Sequence, residues 1–468
     1  MGGVETPSDL SSELKRTIGL RTVISTSAGL TFASSTFLIV VTVGFAVGGK
    51  GAWLPILIAG ILCILAASAF AELSGLYPNA AGIRVYLQRA FSEQVALSAS
   101  LTYMSIVLLV VGAEAYVLSF VLHDAMPSIP PPIWIFIMLT VATAANFRGL
   151  KVSGALQDLI TYSVVISIIL FSLLALKSVQ LHIPSLIMPG NFSGVVTAVG
   201  FAIFLFVGFE WVTPLAEEVR EIKTIAIGMY VAVILLTLVY SFIATAMFAT
   251  TPNHSMLGTL TNRNPTPHLT FAMHVFGVPG KILMIITSIA MSLTTFNAGL
   301  ISVSRFLYAS ARDHVLPNKL AHVSIKYATP DTAVIVVYLF SIMVSFLVYY
   351  THTFLLMVNM AAATEAFIYA FAAAAVVKLR KSEPDRDRAF KIPGGTGVST
   401  AISILFVVIG ILVFIQPGWQ TEGAGILLFC VSLCWWVYIK RVAIPRREQI
   451  KAMRSSRSTR RIRTEEGS

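Results

Sequence analysis

Long apolar runs separated by short polar segments dominate the chain between residues 23 and 439. A run of about 20 apolar residues is long enough to cross the hydrocarbon core of a bilayer. Such a run must be helical there, because lipid offers the backbone no hydrogen-bonding partner. The pattern predicts twelve transmembrane helices, spans 1 to 12, at residues 23–48, 53–74, 96–122, 132–147, 156–176, 194–216, 224–249, 280–308, 332–350, 354–377, 398–416 and 423–439.

The composition agrees with a protein that crosses a membrane many times. Of the 468 residues, 56% are hydrophobic and 12% are charged. Soluble domains carry about 25% charged residues, so this chain has too little polar surface to stay in water. The loops leave no room for a soluble catalytic domain, and no nucleophile, metal or cofactor pattern is present. We therefore predict an all-α integral membrane protein that is not an enzyme and needs no metal ion or cofactor.

The basic residues predict how the helices are oriented. With twelve spans, 29 of the 33 Lys and Arg fall on the same side of the membrane. Lys and Arg accumulate on the cytoplasmic side of membrane proteins. The distribution therefore predicts a multi-pass protein of the cytoplasmic or plasma membrane, with both termini in the cytoplasm.

The same residues define the polar segments of the chain. We predict a cytoplasmic N-terminal segment at 1–22, a basic cytoplasmic loop at 379–397 and a basic cytoplasmic tail at 440–468. The tail holds ten Lys and Arg against three Glu, within a net charge of +11. On a soluble protein such an excess suggests nucleic acid. Beside a final apolar span it favours contact with anionic lipid headgroups, and no nucleic acid partner is predicted.

Two spans contain small or polar residues at their centres. Span 1 carries AGLTFASS at 28–35, and span 6, five helices later, carries FVGFE at 206–210. Transporters built from inverted repeats have broken helices at matching places, and the substrate binds at the breaks. The pairing predicts a transport core at 23–378 made of two repeats, about 23–176 and 194–378, with helices 11 and 12 at 398–439 outside it. The alternative is that the small residues only allow close helix packing.

Five segments in order along the chain resemble one family of transporters. They are AELSGLYP at 71–78, NFRGLK at 146–151, FVGFE at 206–210 with LAEEV at 215–219, SR at 304–305, and RAFKIPG at 388–394. By these segments the chain is identified as a member of the amino acid, polyamine and organocation (APC) superfamily. The resemblance implies a LeuT-type 5+5 inverted-repeat fold with two peripheral helices. It also implies secondary transport of amino acids or amines by alternating access.

The resemblance also implies a substrate site at the two breaks. The backbone N–H groups of Ser34, Ser35 and Thr36 correspond to the positions that hold the substrate carboxylate, where a helix N-terminus favours an anion. The family usually has Gly-Ser-Gly at this break, whereas this chain has Ala33, Ser34 and Ser35. That difference reduces the freedom of the backbone, or it selects a different head group.

The substrate ammonium group is assigned to the second half of the site. The resemblance to the family implies that the backbone carbonyl groups of Thr31, Phe204 and Val207 accept hydrogen bonds from the ammonium group. Gly208 lies at the break itself. Phe204 aligns with an aromatic residue that gates the site in the arginine/agmatine antiporters of the family. An aromatic side chain here is equally compatible with plain packing.

Three acidic residues interrupt apolar spans: Glu114 in span 3, Glu210 in span 6 and Glu365 in span 10. Intramembrane carboxylates are costly and usually face the interior of the bundle or a water-filled path. Glu210 corresponds to a glutamate that acts as a proton-sensitive switch in the antiporters. We predict coupling or gating roles for all three, with structural acids as the alternative. Buried acids without a mid-span Lys or Arg also suggest a cationic substrate.

The means of coupling stays open. The family often carries a lysine in helix 5, where this chain has Val164. Coupling then runs through Glu210 or Glu114, through obligatory exchange, or through sodium bound with the help of Ser292, Thr294 and Thr295. Gly299, near the place of a substrate-facing tryptophan in the antiporters, suggests a roomier side-chain pocket.

The predicted function is therefore secondary active transport of amino acids or related amines, coupled to protons or to a counter-substrate. One alternative is a permease for polyamines or for amino alcohols such as ethanolamine. Another is an amino acid sensor that does not transport.

Overall fold

Helices make up almost the whole of the described structure. The computed structural model describes residues 18–49, 51–78, 82–148, 154–177, 192–250, 265–324, 326–327, 329–415, 419–450 and 452–453. The α-helices are α1 Leu20–Thr31, α2 Ser35–Ala46, α3 Trp53–Leu76, α4 Ile83–Ala90, α5 Glu93–Ala125, α6 Pro131–Phe147, α7 Gly154–Lys177, α8 Phe192–Phe204, α9 Lys223–Thr250, α10 Pro267–Arg312, α11 Asp331–Thr351, α12 Phe354–Ser382, α13 Gly395–Ile415 and α14 Trp419–Tyr438. A 3-10 helix, Phe209–Glu217, follows α8.

The number and order of membrane spans agree with the sequence. Within the described residues, ten helical segments are long and apolar enough to cross a membrane. The pair α1 and α2 forms a further span, and the 17-residue α6 lies at the place of predicted span 4. Seventeen residues are at the lower limit for crossing the hydrocarbon core. Together these are the twelve predicted spans.

Both predicted breaks are present. In span 1, α1 ends at Thr31 and α2 begins at Ser35, with an angle of 66° between the two halves. In span 6, α8 ends at Phe204 and is followed by turns rather than by more α-helix. Gly208 then adopts a left-handed backbone conformation with φ 109°, which residues with a side chain rarely adopt.

The two breaks pack directly against each other. A Cβ atom added to Gly208 would lie 3.1 Å from the carbonyl oxygen of Leu30, so the backbones approach too closely for a larger residue. The hydroxyl of Ser27 donates to the carbonyl of Phe209 at 2.7 Å. These contacts join α1 to the start of the 3-10 helix.

The end of α1 nearest the N-terminus is tied to two neighbouring elements. The carboxylate of Asp158 in α7 accepts hydrogen bonds from Ser25 and, at 3.3 Å, from Thr22. Ile18 pairs with Val219 through backbone hydrogen bonds to the residues on either side of Val219. This half of span 1 is therefore held against α7 and the end of the 3-10 helix.

Several helices differ from the predicted limits. The short α4 was not predicted, because it is amphipathic and has no long apolar run. The last turn of α12 reaches Ser382, so the segment predicted as a loop at 379–397 begins inside a helix. In α10, Gly277 has a non-helical φ of 63° and Pro279 follows it, so the predicted span 8 corresponds to the part after this kink.

Candidate functional site

A buried carboxylate lies at the N-terminus of α2. One oxygen of Glu114, from α5, accepts hydrogen bonds from the backbone N–H and the hydroxyl of Ser34, both at 2.7 Å. The other oxygen accepts from the backbone N–H of Ser35 at 3.0 Å. The hydroxyl of Ser292 in α10 donates to the first oxygen as well. Glu114 has no exposed surface.

This arrangement identifies the start of α2 as an anion site. The first N–H groups of a helix have no partner within the helix, and the helix dipole favours negative charge beside them. Two of the three predicted carboxylate donors, Ser34 and Ser35, converge on this point. The N–H of Thr36 instead donates to the carbonyl of Ala33 at 3.0 Å. The group that accepts from these N–H donors in the structure is therefore a side chain of the protein itself, the carboxyl of Glu114.

The C-terminal end of α1 presents carbonyl oxygens to hydroxyl groups of α9 and α10. Thr294 donates to the carbonyl of Gly29 at 3.0 Å, and Thr295 donates to the carbonyl of Phe32. The hydroxyl of Tyr240 lies 3.5 Å from the carbonyl of Thr31. Carbonyls at the end of a broken half-helix, together with nearby hydroxyls, are the oxygen ligands that bind Na⁺ or an ammonium group in transporters.

The predicted acceptors in span 6 belong to the turns that follow α8. The carbonyl of Phe204 accepts a hydrogen bond from the N–H of Val207 at 3.2 Å. The ring of Tyr240 packs edge-on against both Phe32 and Phe206, with centroid distances of 5.8 and 6.0 Å. Tyr240 therefore contacts the breaks of both spans.

Two of the predicted acids share one cluster. The hydroxyl of Tyr103 in α5 donates to Glu210 and lies 3.3 Å from Glu365. The indole N–H of Trp211 donates to the same hydroxyl. The hydroxyl of Tyr369 donates to the second oxygen of Glu210 at 3.4 Å.

The two acids of this cluster are buried and have no basic partner among the described residues. Glu210 is 3% exposed and Glu365 is 1% exposed. No lysine or arginine in the described ranges forms an ion pair with either residue. Two adjacent carboxylates in an apolar interior repel each other and lack water. The cluster is suited to hold a proton between its acids or to bind a cationic group.

A row of polar side chains leads from Glu114 along α10. The hydroxyl of Ser292 donates to the carbonyl of Ser288 at 2.9 Å, as well as to Glu114. The hydroxyl of Ser288 lies 2.9 Å from Nε2 of His268. The buried ring of His268 is stacked on Phe37, with 4.5 Å between centroids.

The sequence analysis did not predict the aromatic partners of the site, Tyr103, Trp211, Tyr240 and Tyr369. These residues could have been proposed as hydrogen-bonding partners, because a phenol or an indole in an apolar span usually finds such a partner when it is buried.

The prediction that Gly299 leaves extra room in a side-chain pocket was wrong. A Cβ atom at this position would lie 2.4 Å from Cγ2 of Val111, so this glycine allows α10 to pack closely on α5. Val164, in place of the lysine, is buried in α7.

The described residues contain no group of three or more His, Cys, Asp or Glu side chains that could hold a metal ion. The acid cluster has two carboxyl groups, and Glu114 lies apart from it at the start of α2. The polar groups of the site are thus divided between an anion site at α2 and the Glu210–Glu365 cluster.

Comparisons with known proteins agree with this architecture. A family model described as amino acid permease matches residues 18–437. The branched-chain amino acid permease BcaP of Bacillus subtilis (strain 168) is 26% identical over 429 residues, which cover 87% of this chain and 89% of BcaP. The gamma-aminobutyric acid permease of Escherichia coli (strain K12) is 23% identical over 357 residues, covering 72% of this chain and 73% of that permease.

A solved structure is similar to this chain as well. It is a Na⁺-coupled sialic acid symporter in a substrate-bound, outward-open state, with a TM-score of 0.57 and 14% sequence identity. The match covers 88% of this chain and 90% of the symporter. Together with the broken spans 1 and 6, this likeness confirms the predicted all-α, LeuT-type fold.

Proposed function

The chain belongs to the amino acid permease family, and we propose that it is a secondary active transporter that moves amino acids or related amines across the membrane by alternating access. It is a multi-pass membrane protein, and the residues proposed to carry transport lie between 23 and 378. The observation that supports a carboxylate-bearing substrate most directly is the carboxylate of Glu114 on the N–H groups of Ser34 and Ser35. A site that binds one carboxylate in this way has the donors to bind another.

In this proposal the substrate carboxylate replaces Glu114 at the start of α2. The substrate ammonium group then lies toward the end of α1 and the turns of span 6, near the backbone of Thr31, Val207 and Gly208. Phe204, which is 8% exposed, closes one side of the site. The broken helix binds both ends of a zwitterion with backbone groups, and the side-chain pocket is left to set selectivity.

The displacement of Glu114 links substrate binding to a proton. Once it has left Ser34 and Ser35, an ionised Glu114 would be an uncompensated charge in an apolar interior, which is costly. We infer that Glu114 takes up a proton as the substrate enters. The Glu210–Glu365 cluster supplies a second group that can gain or lose a proton, or attract the substrate amine. Sodium at the hydroxyls of Thr294 and Thr295 is the alternative means of coupling.

We further propose that both termini lie in the cytoplasm and that the protein works in the cell membrane. The asymmetry of Lys and Arg supports this orientation. The basic residues near the ends of the helices would then face the anionic inner surface of the membrane.

A second candidate is a permease for amines without a carboxylate. The buried pair of acids, Glu210 and Glu365, favours it, and a substrate without a carboxylate need not displace Glu114 from the start of α2. Such a substrate would bind through its ammonium group to the acid cluster.

Uptake into proteoliposomes with matched pairs of substrates tests both candidates. Each pair has an amino acid and its decarboxylated amine, such as valine and isobutylamine or arginine and agmatine. A proton gradient, a sodium gradient and preloaded substrate are applied separately. The main proposal expects uptake of the amino acids driven by the proton gradient, while uptake of the amines alone supports the second candidate. If no member of any pair is transported by reconstituted, monodisperse protein, both are wrong.

A further inference from the structure

A deep apolar crevice lies between α5, α12, α13 and α14, away from the breaks in spans 1 and 6. Its volume is about 620 Å³. The wall is formed mostly by aromatic and aliphatic side chains, among them Val95, Phe371, Phe414, Phe429 and Trp436. Several of these side chains are exposed on the outer surface of the bundle, so the crevice opens toward the surrounding lipid.

The crevice is long and runs along one helix. On α14 it extends from Gly425 to Trp436, which corresponds to roughly 16 Å of helix at a rise of 1.5 Å per residue. At one end lie Phe414 and Gly425, and at the other lie Val95 and Trp436. Since α5 begins at Glu93, the second end is close to the membrane surface. A long apolar slot with one end at the surface matches the shape of an acyl chain.

One polar atom in the wall has no partner. The hydroxyl of Ser98 is buried and forms no hydrogen bond within the described part of the chain. A buried hydroxyl without a partner costs free energy, and a bound ligand or water that accepts its hydrogen bond would remove that cost. Ser98 is one helical turn from Val95, near the surface end of the crevice. A lipid ester oxygen at this depth would accept its hydrogen bond.

A cation lies at the same end. Lys378, on α12, is exposed, and its ammonium group lies 5.0 Å from the centre of the Phe91 ring. The Phe91 ring in turn packs edge-on against Phe371 of the crevice wall, with 6.2 Å between centroids. The positive charge is therefore beside the mouth of the slot, where the phosphate of a lipid with its chain in the crevice would lie.

We propose that this crevice binds one anionic phospholipid, with an acyl chain along α14, an ester oxygen at Ser98 and the headgroup at Lys378. The wall also connects the lipid to the acid cluster. Thr102, Thr364 and Ile368 line the crevice, and their sequence neighbours Tyr103, Glu365 and Tyr369 form the cluster on the same helices. A bound acyl chain packs against the parts of α5 and α12 that carry Tyr103, Glu365 and Tyr369. Transport should therefore depend on the lipid.

Native mass spectrometry of the full-length protein tests the site. Delipidated protein in detergent is mixed with phosphatidylglycerol or with phosphatidylcholine of the same chains. We expect one retained phosphatidylglycerol and at least tenfold weaker retention of phosphatidylcholine. Lys378→Gln removes this preference, whereas Lys391→Gln, an exposed lysine in the next loop, keeps it. Ser98→Ala weakens retention of both lipids.

A filled crevice gives the second arm of the test. Ala99→Trp places an indole in the crevice and abolishes the retained lipid, while Ala401→Trp adds the same bulk to an exposed position of α13. The proposal is overturned if wild type retains both lipids equally, or if Ala99→Trp retains phosphatidylglycerol as the wild type does. Should Ala99→Trp fail to yield monodisperse protein, the exposed Lys378→Gln and the conservative Ser98→Ala decide the result.

Discussion

The guanidinium of Arg380 and the carboxylate of Glu72 are joined by two hydrogen bonds, from Nε at 2.8 Å and from Nη2 at 2.5 Å. The backbone N–H of Ile392 donates to the same carboxylate at 2.8 Å, and Nε of Arg388 lies 3.2 Å from it. The ion pair is almost fully buried. It joins the end of α3 to the end of α12 and to the loop that follows.

Loss of Arg380 destabilises the protein strongly. Arg380→Ala removes the partner that makes two hydrogen bonds to Glu72 and leaves Arg388 beside the buried carboxylate. Breaking a buried ion pair costs about 3–5 kcal/mol, and the remaining Arg388 places the expected loss at the lower end of that range. Thermal melting of the purified protein in detergent measures the loss. Arg386→Ala is the matched comparison, because its ion pair with Glu383 is partly exposed to solvent and its loss should cost clearly less. Equal melting temperatures for the two variants would contradict the structural role of this ion pair.

The contact between Tyr77 and Glu383 gives a stabilisation that depends on pH. The Tyr77 hydroxyl donates to Glu383 at 2.5 Å, and this bond, with the nearby Arg386, holds the pKa of the Glu383 carboxyl below its usual value. A carboxyl with a lowered pKa stabilises the folded state above its ordinary value of about 4.3, and this contribution is lost as the pH falls through the lowered pKa.

Tyr77→Phe is therefore less stable than wild type at pH 7, by about 1 kcal/mol, and the difference narrows at acid pH. Melting curves at pH 7.5 and at pH 3 measure it. Tyr438→Phe is the control, because its hydroxyl donates to the backbone carbonyl of Val315, which does not titrate. A difference between Tyr77→Phe and wild type that persists unchanged to pH 3 would show that the carboxylate is not involved.

Gly208→Ala strains the break in span 6. Alanine is strained at a left-handed φ of 109°, and its methyl group would lie 3.1 Å from the carbonyl oxygen of Leu30, so that the backbone must shift. Such strain costs about 1–3 kcal/mol. We expect a lower melting temperature together with a loss of substrate uptake, since both breaks shift. Gly397→Ala in α13, where a Cβ atom meets nothing within 4 Å, should leave both unchanged. Normal stability and uptake in Gly208→Ala would show that the break tolerates other backbone conformations.

Glu114→Gln tests the competition for the start of α2. The amide of glutamine has one acceptor oxygen, so it can accept from Ser34 or from Ser35 but not from both as the two carboxylate oxygens do. The substrate carboxylate should therefore bind about tenfold more tightly, or about 1.4 kcal/mol. The dependence of uptake on external pH should also become weaker and keep only the part that the Glu210–Glu365 cluster supplies, because glutamine takes up no proton. Binding titrations and uptake at pH 5.5 and pH 8 measure both effects. Glu422→Gln, an exposed acid of α14, is the control. Weaker substrate binding in Glu114→Gln would mean that Glu114 assists the substrate rather than competing with it.

Tyr103→Phe removes the hydroxyl shared by Glu210, Glu365 and Trp211. The loss of a hydrogen bond to a buried charged group costs about 1.5–3 kcal/mol, so uptake at neutral pH should fall about tenfold and its pH profile should change. Tyr338→Phe, whose hydroxyl bonds to the neutral Thr140 at 2.7 Å, is the matched control. If Tyr103→Phe lowers stability but keeps the wild-type pH profile, the cluster is structural and does not take part in coupling.

The sequence was sufficient for the spans and for the breaks, because both depend on local composition. Apolar length places each span, and Gly208 with its neighbours indicates the break in span 6. The contact between Glu114 and Ser34 could not be predicted in the same way, since the two residues are 80 positions apart and neither carries a sign of its partner. The close approach of Gly299 to Val111 likewise depends on how α10 lies on α5.

The amphipathic α4 shows a different limit of hydrophobic patterns. With eight residues it is too short to form a recognisable apolar run, and its helical form depends on packing against α5 and α12. The extension of α12 to Ser382 also has a tertiary cause, because Arg380 in its last turn binds Glu72 of α3.

The carboxylate of Glu114 at the start of α2 bears on the half of the transport cycle in which no cargo is bound. In an empty carrier, the N–H groups at the start of α2 would have no partner once the site is closed off from water. The free-energy cost of these unpaired groups would oppose the change from the inward-facing to the outward-facing state. In this structure the side chain of Glu114 pairs with those groups. If transport follows the proposed cycle, the unloaded protein would return across the membrane by itself, and net accumulation of cargo would be favoured over one-for-one exchange.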